Sequence, residues 1–286
     1  MQQSVKIVPL FENGRSTLDI QKHRERLHNI VSLAERILAM NLQYEEANGT
    51  LFKYTIERSY FADEFDLPQP DDTNLAEFYK AASQKIMFTS HDGYILFFVA
   101  PRRYCVTYQN MSIIAMPWLN DLSVIPLSEL LQSDCTKRPL PGFRSLSITV
   151  LATLHEIMHM FLIPHSNSGL MSAGCVCDSI RNYFCRRPAC GCYTDSNRLD
   201  PLSLELVKRS SFLTKKDSTV DVRQNPDKTY EISSNDKIDY LVTVTLDNSM
   251  IRDVVQPNSN RYILKKKPDK CSLIVATTVC LKQIRF

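Results

Sequence analysis

Apolar residues recur at helical spacing early in the chain. Leu27, Ile30, Val31, Ala34, Ile37 and Leu38 fall on one face, and Ser16 or Thr17 can cap the start, so one long amphipathic helix is predicted from Ser16 to about Ala47. A second helix is predicted over Thr73 to Lys85. The period then changes to that of strands. Tyr94 to Ala100, Tyr104 to Tyr108 and Ser112 to Met116 are rich in aromatic and β-branched residues and read as a sheet beside a cleft. Pro117, Pro126, Pro139 and Pro141 punctuate the connection to a further helix, placed from about Arg144 to Leu162.

Beyond that helix the stretch from Pro164 to Asp200 is loop-rich and dense in cysteine, and a short helix with proline in its first turn follows from Pro201 to about Phe212. From Thr219 onward the pattern alternates, with runs such as Tyr240 to Leu246 and Ser272 to Leu281 separated by Asn, Asp and Pro. The expected organisation is therefore α+β. A domain over residues 1–215 carries a helix against a mixed sheet, and a small all-β, sandwich-like module covers 216–286. Met1 to Gly14 begins with polar residues and is assigned no element.

Composition narrows the partners. Of the chain's 286 residues, 44% are hydrophobic and 23% charged, the balance of a globular protein that can bury a core. The net charge is +3 with the signs intermixed, and Lys265 to Lys267 form the single compact basic run, so no nucleic-acid or membrane partner is expected. The N-terminal segment lacks the apolar core of a secretory signal, which points to a cytoplasmic location. Nine cysteines leave a secreted form with disulfides as the alternative.

The chemistry concentrates in the helix predicted over 144–162. His155-Glu156-Ile157-Met158-His159 places two histidines four apart, on one helical face, where both imidazoles can reach one metal ion. Glu156, beside the first, is placed to handle the proton of an attacking water. The helix is apolar on nearly every side through Leu146, Ile148, Val150, Leu151, Leu154, Ile157, Phe161 and Leu162, so it should be buried. A buried carboxylate without a partner is costly, and one zinc site accounts for all three polar residues together.

A third histidine, His165, follows six residues after His159. On a continuing helix it would point about 240° around the axis and about 9 Å further along. The helix must therefore end before it, and Pro164 supplies a reason, since it disfavours the helical conformation at Ile163 and donates no helical hydrogen bond.

In this order and spacing the segment resembles the metzincins, zinc peptidases with the motif HExxHxxGxxH followed by a methionine turn. The resemblance runs from Leu154 to Ser172. It implies His155, His159 and His165 as zinc ligands, Glu156 as general base and Met171 beneath the metal. The activity it implies is hydrolysis of peptide or protein substrates by a zinc metalloprotease. Two departures stand out. The family has glycine where this chain has Leu162, so either Leu162 stays helical and the bend shifts to Ile163 and Pro164, or His165 is not a ligand. No tyrosine stands two residues after Met171. If His165 fails, a carboxylate third ligand is the alternative, with Glu205 first and Asp178 and Asp195 behind it. A non-catalytic interaction protein on a degenerate peptidase fold is the competing class.

Cys175, Cys177, Cys185, Cys190 and Cys192 lie within eighteen residues of one another. Four thiolates could hold a second, structural zinc in a loop with little apolar content, although the spacing matches no standard ribbon; disulfides or unbridged thiols are the other readings. The terminal β module contains no catalytic constellation. Tyr230, Tyr240 and Tyr262 suit its core or an exposed binding face equally.

Overall fold

A computed structural model describes residues 3–11, 17–43, 51–61, 64, 70–119, 122, 142–167, 169–172, 198–213, 218–246 and 249–285. The chain separates into two compact units, one built on Gln3–Met160 and the other on the segment that begins at Phe161 together with the residues from Leu199 onward.

The first unit is organised by a mixed sheet. Its strands are β1 (Ser4–Phe11), β2 (Lys53–Ile56), β3 (Tyr60–Phe61), β4 (Gly93–Phe98), β5 (Tyr104–Tyr108) and β6 (Met111–Ala115). They are ordered β2-β1-β4-β6-β5, with β3 also paired to β1. All pairings are parallel except β5 with β6, a hairpin in which Thr107 stands opposite Ser112. β1 was not expected. It lies inside the sheet, and Val5, Ile7, Val8, Leu10 and Phe11 are all buried. A parallel strand covered on both faces shows a near-continuous apolar run instead of alternation, and Lys6 and Pro9 interrupt even that run.

Among the described residues three helices accompany this sheet: α1 (Thr17–Asn41), α2 (Leu75–Ile86) and α3 (Phe143–Met160). The expected α1 extended to Ala47, but residues 44–50 lie outside those described. Phe78, Ala82 and Ile86 of α2 pack on Val8, Leu10, Leu96, Phe98, Ile113 and neighbouring residues of one sheet face. Adjacent strand residues point the opposite way, and there α3 packs against α1, β5 and β6. The all-round apolar character of α3 follows from this position. Leu146, Val150, Leu151, Leu154, Ile157 and Met158 are each at most 1% exposed. Among the described residues no helix is long and apolar enough to cross a membrane.

In the second unit, α4 (Pro201–Val207) opens on Asp200, whose carboxylate accepts from Leu202 N and Ser203 N. It ends five residues before the Phe212 expected from sequence. The β region comprises β7 (Val220–Gln224), β8 (Tyr230–Thr245), β9 (Ile251–Val255), β10 (Ser259–Leu264), β11 (Cys271–Thr277) and β12 (Leu281–Arg285). Instead of the expected sandwich, these form one antiparallel sheet. The sixteen-residue β8 is its spine: its first half pairs with β7 and β10, and its second half with β9 and β11. Ile232, Ile238, Leu241, Leu273 and Val275 form the core on this sheet, and Tyr262 packs against them. Tyr240 instead lies under the Arg209 guanidinium at 5.6 Å.

Candidate metal centre

The last two turns of α3 carry His155, Glu156 and His159. The i, i+4 spacing brings the two imidazoles together edge to face, with ring centroids 4.7 Å apart and their Nε2 atoms separated by 3.1 Å. Two imidazole nitrogens on one tetrahedral zinc, each at about 2.0–2.1 Å, are separated by roughly 3.3 Å. The pair thus already has nearly the separation that a shared ion requires.

His165 completes the group. Ligand atoms of His155, His159 and His165 all lie within 4.8 Å of one another, and among the described residues this is the only gathering of three or more His, Cys, Asp or Glu side chains able to hold a metal. Three imidazoles form a donor set suited to zinc. No carboxylate of the described residues belongs to it. Glu205, the runner-up from sequence, accepts from Lys208 Nζ at 2.8 Å and Arg209 at 3.0 Å, and these two cations hold its carboxyl below the ordinary range. Asp178 and Asp195 lie outside the described residues, as do Cys175, Cys177, Cys185, Cys190 and Cys192.

Leu162 does not stay helical, and the bend is not displaced beyond it. α3 stops at Met160, and Leu162 itself takes the left-handed conformation, with φ 65°. Hydrophobic anchors flank it: Phe161 is buried and stacks on Phe212 at 4.7 Å, and Ile163 is 1% exposed. Met171 is fully buried, and its carbonyl accepts from Ser166 N, directly after His165, at 2.9 Å. Gly169, at φ 74°, makes the turn.

Glu156 points away from solvent. It is 5% exposed, and burial pushes its carboxyl up to about 7, while the Thr107 hydroxyl, donating to Oε2 at 2.7 Å, opposes the shift. Thr107 Oγ1 is also 2.6 Å from Ser112 Oγ, and Ser112 donates to the Glu156 carbonyl at 3.3 Å. The β5–β6 hairpin thus presents a hydroxyl pair to the glutamate. Sequence reasoning missed both. A lone Thr or Ser in a strand gives no local sign of what it faces.

No protein-family model matches the chain, and no curated protein matches it. Among solved structures it is similar to wild-type OgpA from Akkermansia muciniphila, with a TM-score of 0.50 and 12% identity over 100% of this chain and 91% of that one. A second crystal form of OgpA gives a TM-score of 0.49 at 13% identity, covering 100% of this chain and 92% of that one. Catalytically inactive OgpA in complex with an O-glycopeptide substrate, glycodrosocin, gives 0.43 at 11% identity, again over 100% and 92% of the two chains. At such identities the first of these likenesses is one of fold.

Proposed function

We propose that this protein is a zinc-dependent peptidase of the metzincin type, with His155, His159 and His165 as metal ligands and Glu156 as general base. One observation carries the reading: three histidines converge within 4.8 Å beside a buried glutamate. The fold likeness to OgpA agrees with it. We assign catalysis to residues 1–215, with 216–286 as the companion β module.

Zinc held by the three imidazoles would supply Lewis acidity and lower the pKa of water towards neutrality. Glu156 takes the proton of the attacking water on a carboxylate oxygen and returns it to the leaving amine. In the metal-free protein burial pushes this carboxyl up to about 7, and a bound dication would favour its ionised, proton-accepting form. Thr107, bonded to Oε2, fixes the carboxylate plane and leaves Oε1 for the proton. Among the described residues no strand pairs with the outer edge of β5, and such an edge takes an extended peptide through main-chain hydrogen bonds. Met171 is assigned the floor of the site.

Metal analysis and hydrolysis of a broad peptide library test this together. The parent should contain stoichiometric zinc and cleave peptides, and Glu156→Gln should keep the zinc and lose most hydrolysis. A zinc-loaded parent that cleaves nothing would make the protein a non-catalytic zinc-binding interaction protein. Absence of bound metal would remove both the ligands and the mechanism.

A further inference from the structure

His165 follows a proline outside the helix, so the helix alone does not determine where its ring points. Its backbone is fixed elsewhere. His165 N–H donates to the Ser249 carbonyl at 2.8 Å, and the His165 carbonyl accepts from Ile251 N–H at 3.2 Å, a one-residue parallel bridge to Met250. Main-chain groups of successive strand residues point to opposite edges. Ser249 and Ile251 therefore face His165, while Met250 faces β8. There the Met250 carbonyl accepts from Thr245 N–H at 3.0 Å, and Met250 N–H donates to Thr245 Oγ1 at 3.1 Å. Ser249 reaches this position with φ 55°, in the left-handed region that a serine seldom occupies. Such conformations persist where the surrounding structure over-determines them.

We propose that the β8–β9 hairpin is the positioning device for the third metal ligand, with Ser249 and Ile251 as positioning residues that act through the backbone of His165. The C-terminal sheet then supports the third ligand. It need not bind substrate or a partner to be required for metal binding. The proposal rests on the triad being a zinc site.

The test uses the full chain and zinc or cobalt(II) as the probe. Ile251→Pro deletes the Ile251 N–H that donates to the His165 carbonyl and leaves the Met250 contacts to β8. Proline is tolerated at the first residue of a strand, and Ile251→Val is the control that keeps the N–H. Zinc affinity is measured by chelator competition, the ligand field by the visible spectrum of the cobalt(II)-loaded protein, and folding by circular dichroism. Loss of support around a metal ligand weakens metal binding about 10–100-fold. Folded Ile251→Pro should show a loss in that range and a changed cobalt spectrum, whereas Ile251→Val should match the parent.

The decisive arm combines Ile251→Pro with His165→Ala. If the hairpin acts through His165, Ile251→Pro adds nothing once the imidazole is gone. Parental zinc affinity and spectrum in folded Ile251→Pro, or a further loss on the His165→Ala background, overturns the proposal. If His165→Ala alone leaves zinc affinity unchanged, it is the triad reading that fails. Should Ile251→Pro not fold, Thr245→Val, which removes the acceptor for Met250 N–H, is read the same way: weaker zinc binding in the parent background and no further loss with His165→Ala.

Discussion

Replacing Thr107 by valine removes one hydroxyl and nearly preserves side-chain volume. That hydroxyl donates to Glu156 Oε2 at 2.7 Å, where the carboxyl is 5% exposed. A hydrogen bond to a charged group contributes about 1.5–3 kcal/mol, and stranding a buried polar partner costs about 1–3 kcal/mol. At 1.36 kcal/mol per tenfold, the lower bound corresponds to about a tenfold penalty on the ionised, correctly oriented carboxylate. Thr107→Val should therefore lower kcat/KM about tenfold or more while leaving zinc content unchanged. It should also destabilise the metal-free protein by about 1–3 kcal/mol at neutral pH.

The two effects need separate assays. Peptide hydrolysis with parallel metal analysis reads the first, and urea unfolding of metal-free protein reads the second without assuming any activity. Thr107→Ser restores the donor and should recover most of both. In the Glu156→Gln background, where no charge can form, the stability cost of Thr107→Val should shrink. Parental kcat/KM and parental stability in Thr107→Val would refute the reasoning. So would equal impairment in Thr107→Ser, because the lost quantity would then be packing and not the hydrogen bond.

His155→Ala, His159→Ala and His165→Ala should each lose most zinc affinity in chelator competition, whereas Glu205→Ala, whose carboxylate is bound to Lys208 and Arg209, should bind zinc like the parent. Glu35, on α1, accepts from Leu51 N and Phe52 N, yet burial raises its carboxyl above 4.5. Its contribution to stability is thus present below 4.5 and is lost as pH rises through the raised folded value; urea midpoints between about pH 4 and pH 7 should fall less steeply in Glu35→Gln. Leu162→Gly should change stability by no more than about 1 kcal/mol, because relief of the left-handed penalty is offset by the greater freedom of glycine in the unfolded chain. Calorimetry of Leu162→Gly and Leu162→Val should show the β-branched variant as the less stable.

The helices were legible because their apolar faces repeat at helical spacing. α3 in particular revealed its burial by being apolar all round. The strands β5 and β6 were legible from their aromatic and β-branched residues, and the β-rich C-terminal region from alternation and the Asn, Asp and Pro that separate its runs. β1 was hidden because Val5, Ile7, Val8 and Leu10 are buried on both faces of the sheet, which erases the period-two signal. The strands after residue 219 declare themselves individually. No local pattern says that one sixteen-residue strand pairs with β7, β9, β10 and β11, with β12 added through β11, in a single sheet in place of a sandwich. The histidines and Glu156 were readable because one helix turn relates three of those four side chains. Thr107, Ser112, Ser249 and Ile251 were not, since each acts through a contact distant in sequence.

Leu162 shows where local reasoning stops. A glycine at that position lowers the cost of leaving the helix with a left-handed residue, and its absence suggested either a displaced bend or a lost ligand. In place of a displaced bend the chain accepts φ 65° at leucine, a cost of about 1–2 kcal/mol. On one side Phe161 is buried against Phe212, and on the other Ile163 is buried as well. Full burial of one such side chain contributes about 1.5–3 kcal/mol, so either anchor is large enough to offset the backbone cost. Beyond them the hydrogen bonds that His165 N–H donates to Ser249 and its carbonyl accepts from Ile251 fix where the chain must go. Glycine makes such a turn easy, but it does not direct the turn; here the direction comes from residues on both sides and from a hairpin more than eighty positions away.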